Sequence, residues 1–389
     1  MANFNNTALN KTSVSRVLKR YGQQYLDRYG PTMTAQQKKV LRAVMACRET
    51  SLGTIRYQCA GCGNTHIVPR SCCNRHCAAC QHERTKTWLA QQTERLLPCH
   101  YFLVTFTVPQ EVRAAMLAHP QAGYAALMSA AVESLKTAAT NERHVGASEV
   151  GMIGVLHTWS RDLGYHPHVH FLVPGGGIDR DGQWRSSRAN YFVPEKVLSI
   201  LFRNKLRDRL QGTKCFDAIP ASVWKRDWTV DSIAVGDGRA AMKYLAPYVL
   251  RGPVSNWRVT SCHAAESLDD AQLVLQVKRS GTNQYRGMRL RVTEFIRRWL
   301  LHVLPSGLHR VRHYGFLNSS SKRSLEEVRL LIAVATETLH YLLCHEQLVM
   351  ASASKMVCPT CGDTMICLGY TPPLIIGCAT LAHASRAPP

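Results

Sequence analysis

The residues best suited to do chemistry stand together in Gly164-Tyr165-His166-Pro167-His168-Val169-His170-Phe171-Leu172-Val173. Alternate side chains of a β-strand share one face, so His168 and His170 project together, about 7 Å apart along the backbone. Two imidazoles so placed make half of a divalent-cation site. Upstream, Gly154-Val155-Leu156-His157-Thr158-Trp159 reads as a second strand, apolar and β-branched. The polar stretch from Ser160 to Gly164 is short enough to turn. An antiparallel hairpin sets His157 beside the other two. Three histidines on adjacent strands can hold one ion and leave positions open for substrate. Each histidine alone is equally at home as a hydrogen-bonded strand residue.

Cysteines form the second chemical set. Cys59-Ala60-Gly61-Cys62 and Cys77-Ala78-Ala79-Cys80 are two knuckles with fourteen residues between them. Four thiolates at that spacing can surround one Zn²⁺, as in a zinc ribbon. The expectation is one closed structural site on Cys59, Cys62, Cys77 and Cys80. His66, Cys72, Cys73, His76 and His82 are surplus donors for a second ion. A third knuckle, Cys358-Pro359-Thr360-Cys361, has Cys367, Cys378 or His383 as partners for a zinc of its own. Six of the fifteen cysteines fall between Cys59 and Cys80, which favours metal binding in a reducing compartment over disulfides. Cys47, Cys215 and Cys344 lie in apolar or helical surroundings and read as buried thiols.

The elements that must position these groups follow from periodicity. Val14, Val17, Leu18, Tyr21, Tyr25 and Leu26 recur at helical spacing, Pro31 breaks the run, and Thr34 caps a second helix through Met45. Tyr101 to Val108 is a β-branched and aromatic strand ended by Pro109. Residues 110–140 are Ala-rich and helical, Pro174 to Gly177 reads as a turn, Asp181-Gly182 as a hairpin tip, and 194–211 as a basic helix. This order predicts an α+β fold: an antiparallel sheet with helices on one face, preceded by a small zinc-ribbon-like domain. The predicted divisions are a helical arm (1–50), a zinc-binding domain (51–98), the catalytic core (99–255), a basic DNA-binding and helical segment (256–350) and a Cys-containing tail (351–389). Ser324 and Glu327 make a capping-box pattern opening a helix over 324–350, with Leu330, Leu331, Val334 and Leu339 on its apolar side. The last residues, Ala-His-Ala-Ser-Arg-Ala-Pro-Pro, read as a disordered end.

After Gly236-Asp237-Gly238 comes a helix over 239–251 that carries Tyr244 and Tyr248 four apart, on one face if the helix is continuous. Pro247 stands between them and predicts a kink or an early end, since proline inside a helix costs about 3 kcal/mol.

Charge points to the partner. Lys and Arg number 48 against 26 acidic residues, a formal net charge of +22, which favours a polyanion, nucleic acid before an anionic membrane. Residues 278–314 hold nine Lys or Arg and a single acid, Glu294, with Tyr285, Trp299 and Tyr314 interleaved. Such a surface can track single-stranded DNA by phosphate contact and base stacking. No run of about 18 apolar residues is present. The Met-Ala-Asn-Phe-Asn-Asn start lacks a signal-peptide layout, so the expected location is cytoplasmic, without a membrane partner.

In combination these motifs are specific. The chain resembles the two-tyrosine HUH transposases of rolling-circle insertion sequences, the insertion-sequence 91 family. The resemblance rests on Asn74-Arg75-His76-Cys77 with Cys80-Gln81, on Leu156-His157-Thr158-Trp159 leading to His166-Pro167-His168-Val169-His170, and on Lys243-Tyr244-Leu245 with Tyr248-Val249 and Arg251. Glu294-Phe295-Ile296-Arg297-Arg298 and Leu304-Pro305 with His309-Arg310-Val311-Arg312 extend it. It implies a transposase that cuts and rejoins single-stranded DNA at insertion-sequence ends and targets, acting at the bacterial nucleoid, with no small-molecule substrate. Tyr244 and Tyr248 are the implied nucleophiles, with Tyr244, upstream of the proline, as the surer one. His157, His168 and His170 are the implied ligands of Mg²⁺ or Mn²⁺, although imidazoles by themselves suit Mn²⁺, Zn²⁺ or Ni²⁺ better than Mg²⁺. Arg75, Lys243, Arg251, Arg297, Arg298, Arg310 and Arg312 are the expected DNA contacts. Two rival readings share much of this: a replication initiator or relaxase with the same chemistry, and a non-enzymatic zinc-dependent DNA-binding protein. A metal-dependent hydrolase is a weaker third, because no carboxylate cluster accompanies the histidines.

Overall fold

A computed structural model describes residues 13–250, 252–279, 281–338 and 356–373. Helices α1 (Val14–Tyr29) and α2 (Ala35–Met45) open the chain, capped by the side chains of Ser13 and Thr34. Strands β1 (Thr54–Cys59) and β2 (Thr65–Pro69) form a hairpin, followed by α3 (His82–Glu94). Next come β3 (Tyr101–Thr107), α4 (Gln110–Ala118), α5 (Pro120–Ala139), β4 (Met152–Trp159) and β5 (Tyr165–Pro174). A small hairpin, β6 (Gly176–Ile178) and β7 (Trp184–Ser186), precedes α6 (Glu195–Leu210), α7 (Lys214–Asp217) and β8 (Val230–Ala234). The chain continues through α8 (Arg239–Leu250), β9 (Val259–His263), β10 (Gln272–Lys278), β11 (Tyr285–Arg291) and α9 (Val292–Leu300). It closes with β12 (Val311–Tyr314), α10 (Leu325–Ala335) and β13 (Met365–Thr371).

The central sheet runs β12-β4-β5-β3-β8, antiparallel throughout. Its two faces are set by residue parity. Phe102, Val104 and Phe106 of β3 and Val169, Phe171 and Val173 of β5 face a core built with α4, α5 and α6. The alternate residues Tyr101, Ile153, Val155 and Leu172 face Met242, Leu245 and Val249 of α8 and Val328 and Ile332 of α10. Helices therefore cover both faces rather than the one predicted. Every residue of β4 is buried, as a strand covered on both sides requires. Among the described residues no helix is long and apolar enough to cross a membrane.

A second core joins distant segments. Val14, Leu18, Tyr21, Leu41 and Val44 of α1 and α2 pack with Leu273, Leu275, Phe295, Ile296 and Trp299 of the β9–β11 sheet and α9. The Tyr21 hydroxyl donates to the Ala265 carbonyl at 3.0 Å.

The third sheet has order β13-β1-β2 and little core of its own: Cys59, Cys358 and Met365, with Tyr57 packed against them. Each buried apolar side chain contributes about 1.5–3 kcal/mol, whereas ordering each residue costs about 1–2 kcal/mol. Apolar burial therefore contributes little to holding these three strands.

Two expectations are corrected in outline. Gly176 and Gly177, the second half of the expected turn, belong instead to β6 (Gly176–Ile178). Ser324 caps α10 through the Glu327 amide at 3.0 Å, but Leu330 and Val334 are exposed, and Val328, Ile332 and Ala333 make the buried side. Helix α10 ends at Ala335 with Thr336 as its C-cap, short of the predicted extent, and residues 339–350 of that prediction, with Leu339 and Cys344, lie outside the described residues, as do those from 374 on.

Candidate active site

The β4–β5 hairpin places the histidines by register. His157 pairs with His168, and Val155 pairs with His170. All three therefore share the face that α8 covers, and each is buried. Nδ1 of His157 stands 2.8 Å from Nε2 of His168. Nδ1 of His168 donates to the His166 carbonyl at 2.7 Å, which leaves Nε2 with its lone pair inward. The three histidines bring one nitrogen each within 4.8 Å of one another.

These nitrogens fit a cation. Two ligands about 2.1 Å from a shared ion lie about 3 Å apart at a right angle, near the His157–His168 spacing. Nε2 of His170 is buried with no protein partner, a state that is costly unless a ligand satisfies it. Burial pushes His168 down to about 3 and His170 down to about 4, and holds His157 well below the ordinary imidazole value. All three are thus neutral lone-pair donors near pH 7.

Helix α8 runs on through Pro247 to Leu250, so the early end predicted there does not occur. The bond forfeited is the one the exposed Lys243 would receive from position 247 on the solvent side. Burial of Met242, Leu245 and Val249, about 1.5–3 kcal/mol each, outweighs that loss of about 3 kcal/mol. Tyr244 and Tyr248 consequently share a face, ring centroids 5.2 Å apart. The Tyr248 ring lies 4.4 Å from the His157 ring, and the Tyr244 ring 6.1 Å from that of His170. Tyr244 is 49% exposed. Burial, and then the Tyr244 phenol, hold the Tyr248 phenol above its ordinary value.

Histidines and tyrosines line one cleft of about 1040 Å³. Its far wall is the β9–β11 sheet and the segment before it. The lining includes Arg161, Arg258, Lys278, Arg279 and Arg286 against a single carboxylate, Asp162. Trp257 and Tyr285, both exposed, meet edge to face at 5.2 Å on that wall. The two walls are tied by Arg258, which donates to the Arg161 carbonyl at 2.6 Å, and by Arg161, which donates to the Arg279 carbonyl at 3.2 Å.

The expected DNA contacts separate into groups. Lys243 and Arg75 are exposed, and Arg312 is half-buried on β12. Arg251 lies outside the described residues. Arg297 and Arg298 both bond Glu294, at 2.6–2.9 Å, and Arg298 also donates to the Asp162 carbonyl. Hydrogen bonds from Arg297 and Arg298 hold the Glu294 carboxyl down at about 2. Arg310 is corrected. It is 3% exposed, donates to the Tyr248 carbonyl at 3.1 Å and lies over the Trp159 ring, so it braces the tyrosine helix from inside. Burial lowers its guanidinium to about 9. Sequence reasoning missed Trp257, Arg258 and Arg161; the aromatic-basic pair Trp257-Arg258 just past the tyrosine helix was the signal available.

The thiols are also corrected. Cys59, Cys62, Cys77 and Cys80 do not meet. Cys77 and Cys80 gather with Cys47 and Cys72, and Cys59 and Cys62 gather with Cys358 and Cys361. The reason is the β1–β2 hairpin, which carries Cys59 at its tip and closes at its base, where Arg70 bonds Gly53. Six strand residues span about 20 Å, too far for one ion to bridge. Hydrogen bonds from Cys47, Cys72 and Cys77 pull the Cys80 thiol far below its ordinary value. Four converging thiols of this kind fit Zn²⁺.

Comparison with known proteins agrees with this geometry. Residues 17–108 match a family profile described as "Transposase zinc-binding domain", and residues 151–324 match one described as "Putative transposase". The chain is 35% identical over 352 residues to "Putative transposase y4qJ" of Sinorhizobium fredii, covering 83% of this chain and 84% of that one. The chain belongs to the insertion-sequence 91 family of transposases. This family member is also 26% identical, over 294 residues, to "Transposase for insertion sequence element IS801" of Pseudomonas savastanoi pv. phaseolicola, covering 70% of this chain and 68% of that one. No solved structure matches it. As a transposase it acts on DNA, and its N-terminal part is a zinc-binding domain.

Proposed function

We propose that this transposase cuts and rejoins single-stranded DNA through a 5′-phosphotyrosine linkage, at the ends of an insertion sequence and at its target, during rolling-circle transposition. The observation that carries the reading is the placement of both α8 phenols against three converging, neutral, buried histidines. His157, His168 and His170 hold a divalent cation, Mg²⁺ or Mn²⁺, which when bound draws charge from the phosphate oxygens.

The chain's own groups do the rest. Tyr244, the more exposed phenol, attacks the scissile phosphorus. A tyrosyl O–P bond forms, the bond from phosphorus to the 3′ oxygen breaks, and that oxygen leaves as a hydroxyl, taking up the equivalent of the phenolic proton. The ester is conserved, so a new 3′ hydroxyl can reverse the step and rejoin the strand. Tyr248, packed on His157, serves the second cleavage. Arg310 holds its backbone. Lys278, Arg279 and Arg286 follow the phosphates, while Trp257 and Tyr285 offer ring faces to unpaired bases.

Incubation with labelled single-stranded element ends and Mn²⁺, read by denaturing electrophoresis, tests this. A covalent protein–DNA band absent from the Tyr244→Phe/Tyr248→Phe double variant is expected. No band on any element end, with the protein folded and metal-loaded, would contradict the reading and leave a binding protein.

A further inference from the structure

We infer that the chain carries two structural zinc ions, and that the second, on Cys59, Cys62, Cys358 and Cys361, clasps the C-terminal knuckle to the N-terminal domain. The matched zinc-binding segment ends at residue 108, so two of these four ligands lie far beyond it.

The two knuckles have the same backbone turn. Gly63 donates its amide to the Cys59 carbonyl at 3.1 Å, and Gly362 donates to that of Cys358 at 2.9 Å. Both glycines have positive φ, 71° and 82°, a conformation other residues enter at a cost. The Cys59 amide bonds the Asn64 carbonyl at 2.9 Å, and the Cys358 amide bonds that of Asp363 at 2.8 Å. Two such turns facing each other present four sulfurs to one point.

The sulfur spacings fit zinc and not disulfides. Cys59 and Cys361 are 3.3 Å apart, and Cys62 and Cys358 are 3.7 Å apart. Thiolates about 2.3 Å from one zinc stand about 3.8 Å apart at tetrahedral angles. A disulfide needs about 2.05 Å. His66 Nε2 lies 3.9 Å from the Cys358 sulfur, an outer partner for a thiolate.

The strands around the site need the ion. β13 pairs with β1 along its length, Cys59 opposite Met365, yet nearly all of β13 is exposed. Among the described residues the buried apolar groups here are Cys59, Cys358 and Met365 alone. A small sheet with so little core is of the kind that folds only when its metal binds. The ion on Cys47, Cys72, Cys77 and Cys80, at the hairpin base, is a separate centre.

The test is zinc stoichiometry of the purified full-length chain. Two zinc ions per chain are expected by elemental analysis. The Cys358→Ser/Cys361→Ser variant should keep one, and limited proteolysis should then cut within 356–373, a segment protected in the parent. One zinc per chain in the parent, unchanged in that variant, would overturn the inference. So would a full count of protein disulfides among these four thiols. Cobalt titration of the metal-free parent covers a variant that fails to fold. Tetrathiolate absorption rising to two equivalents supports two centres, and saturation at one refutes the second. None of these readouts depends on DNA cleavage.

Discussion

The Thr105 hydroxyl stands 2.9 Å from Nδ1 of His170, across the β3–β5 pairing that sets the two residues opposite each other. With Nδ1 engaged there, Nε2 of His170 is turned toward the other imidazoles. Thr105→Val keeps the shape and removes the bond. Outer partners of metal-bound histidine typically matter 10- to 100-fold. Mn²⁺ affinity, measured by calorimetry, should fall by about that factor, and His168→Ala should abolish binding outright.

Arg310 separates two roles by salt dependence. Removing a cation that neutralises a phosphate flattens the salt slope of DNA binding. Removing a brace misplaces Tyr248, and a misplacement of about 1 Å can cost on the order of 100-fold in rate. Arg310→Leu should therefore slow second-strand cleavage by about 10- to 100-fold with the salt slope unchanged. A shallower slope would return Arg310 to the DNA-contacting set.

Trp257 and Tyr285 face open solvent on the wall opposite the histidines. Base stacking is worth about 1–3 kcal/mol per base. Alanine at either position should weaken single-strand binding by about 5- to 150-fold, read by fluorescence anisotropy, without moving the salt slope. Lys278→Gln should reduce that slope by about 0.7.

His302 is fully buried between the Thr158 hydroxyl and the Leu163 carbonyl. Burial lowers it to about 4, below the 6.5 of the unfolded chain. The unfolded chain binds the proton first, so this stability is intact above pH 6.5 and is lost as pH falls toward 4, by about 3 kcal/mol at most. His302→Gln should flatten that part of the pH profile of thermal unfolding.

Local pattern revealed much of this. The apolar positions predicted for α1, Val14 through Leu26, are all buried, and Thr34 forms the capping box with Gln37. The histidine hairpin was legible because strand parity and a short polar turn are local properties. Pro247 does not end α8, because the burial that carries the helix past it comes from the sheet beneath, which local pattern does not show. The grouping of the thiols was hidden for a different reason. Cys59 and Cys361 are separated by 302 positions, and no spacing rule connects them. Cys47 looked like a lone thiol because its partners follow the hairpin. The basic run marks Arg310 as a surface charge, whereas tertiary packing turns it inward.

The most direct measurement is to digest the covalent product with nuclease and locate the residual nucleotide by mass spectrometry. A 5′-nucleotidyl group is expected on Tyr244 after first cleavage, and on Tyr248 when the Tyr244→Phe variant is given a second cleavable strand. A nucleotide on any other residue, or cleavage that leaves no protein-bound nucleotide, would contradict that expectation.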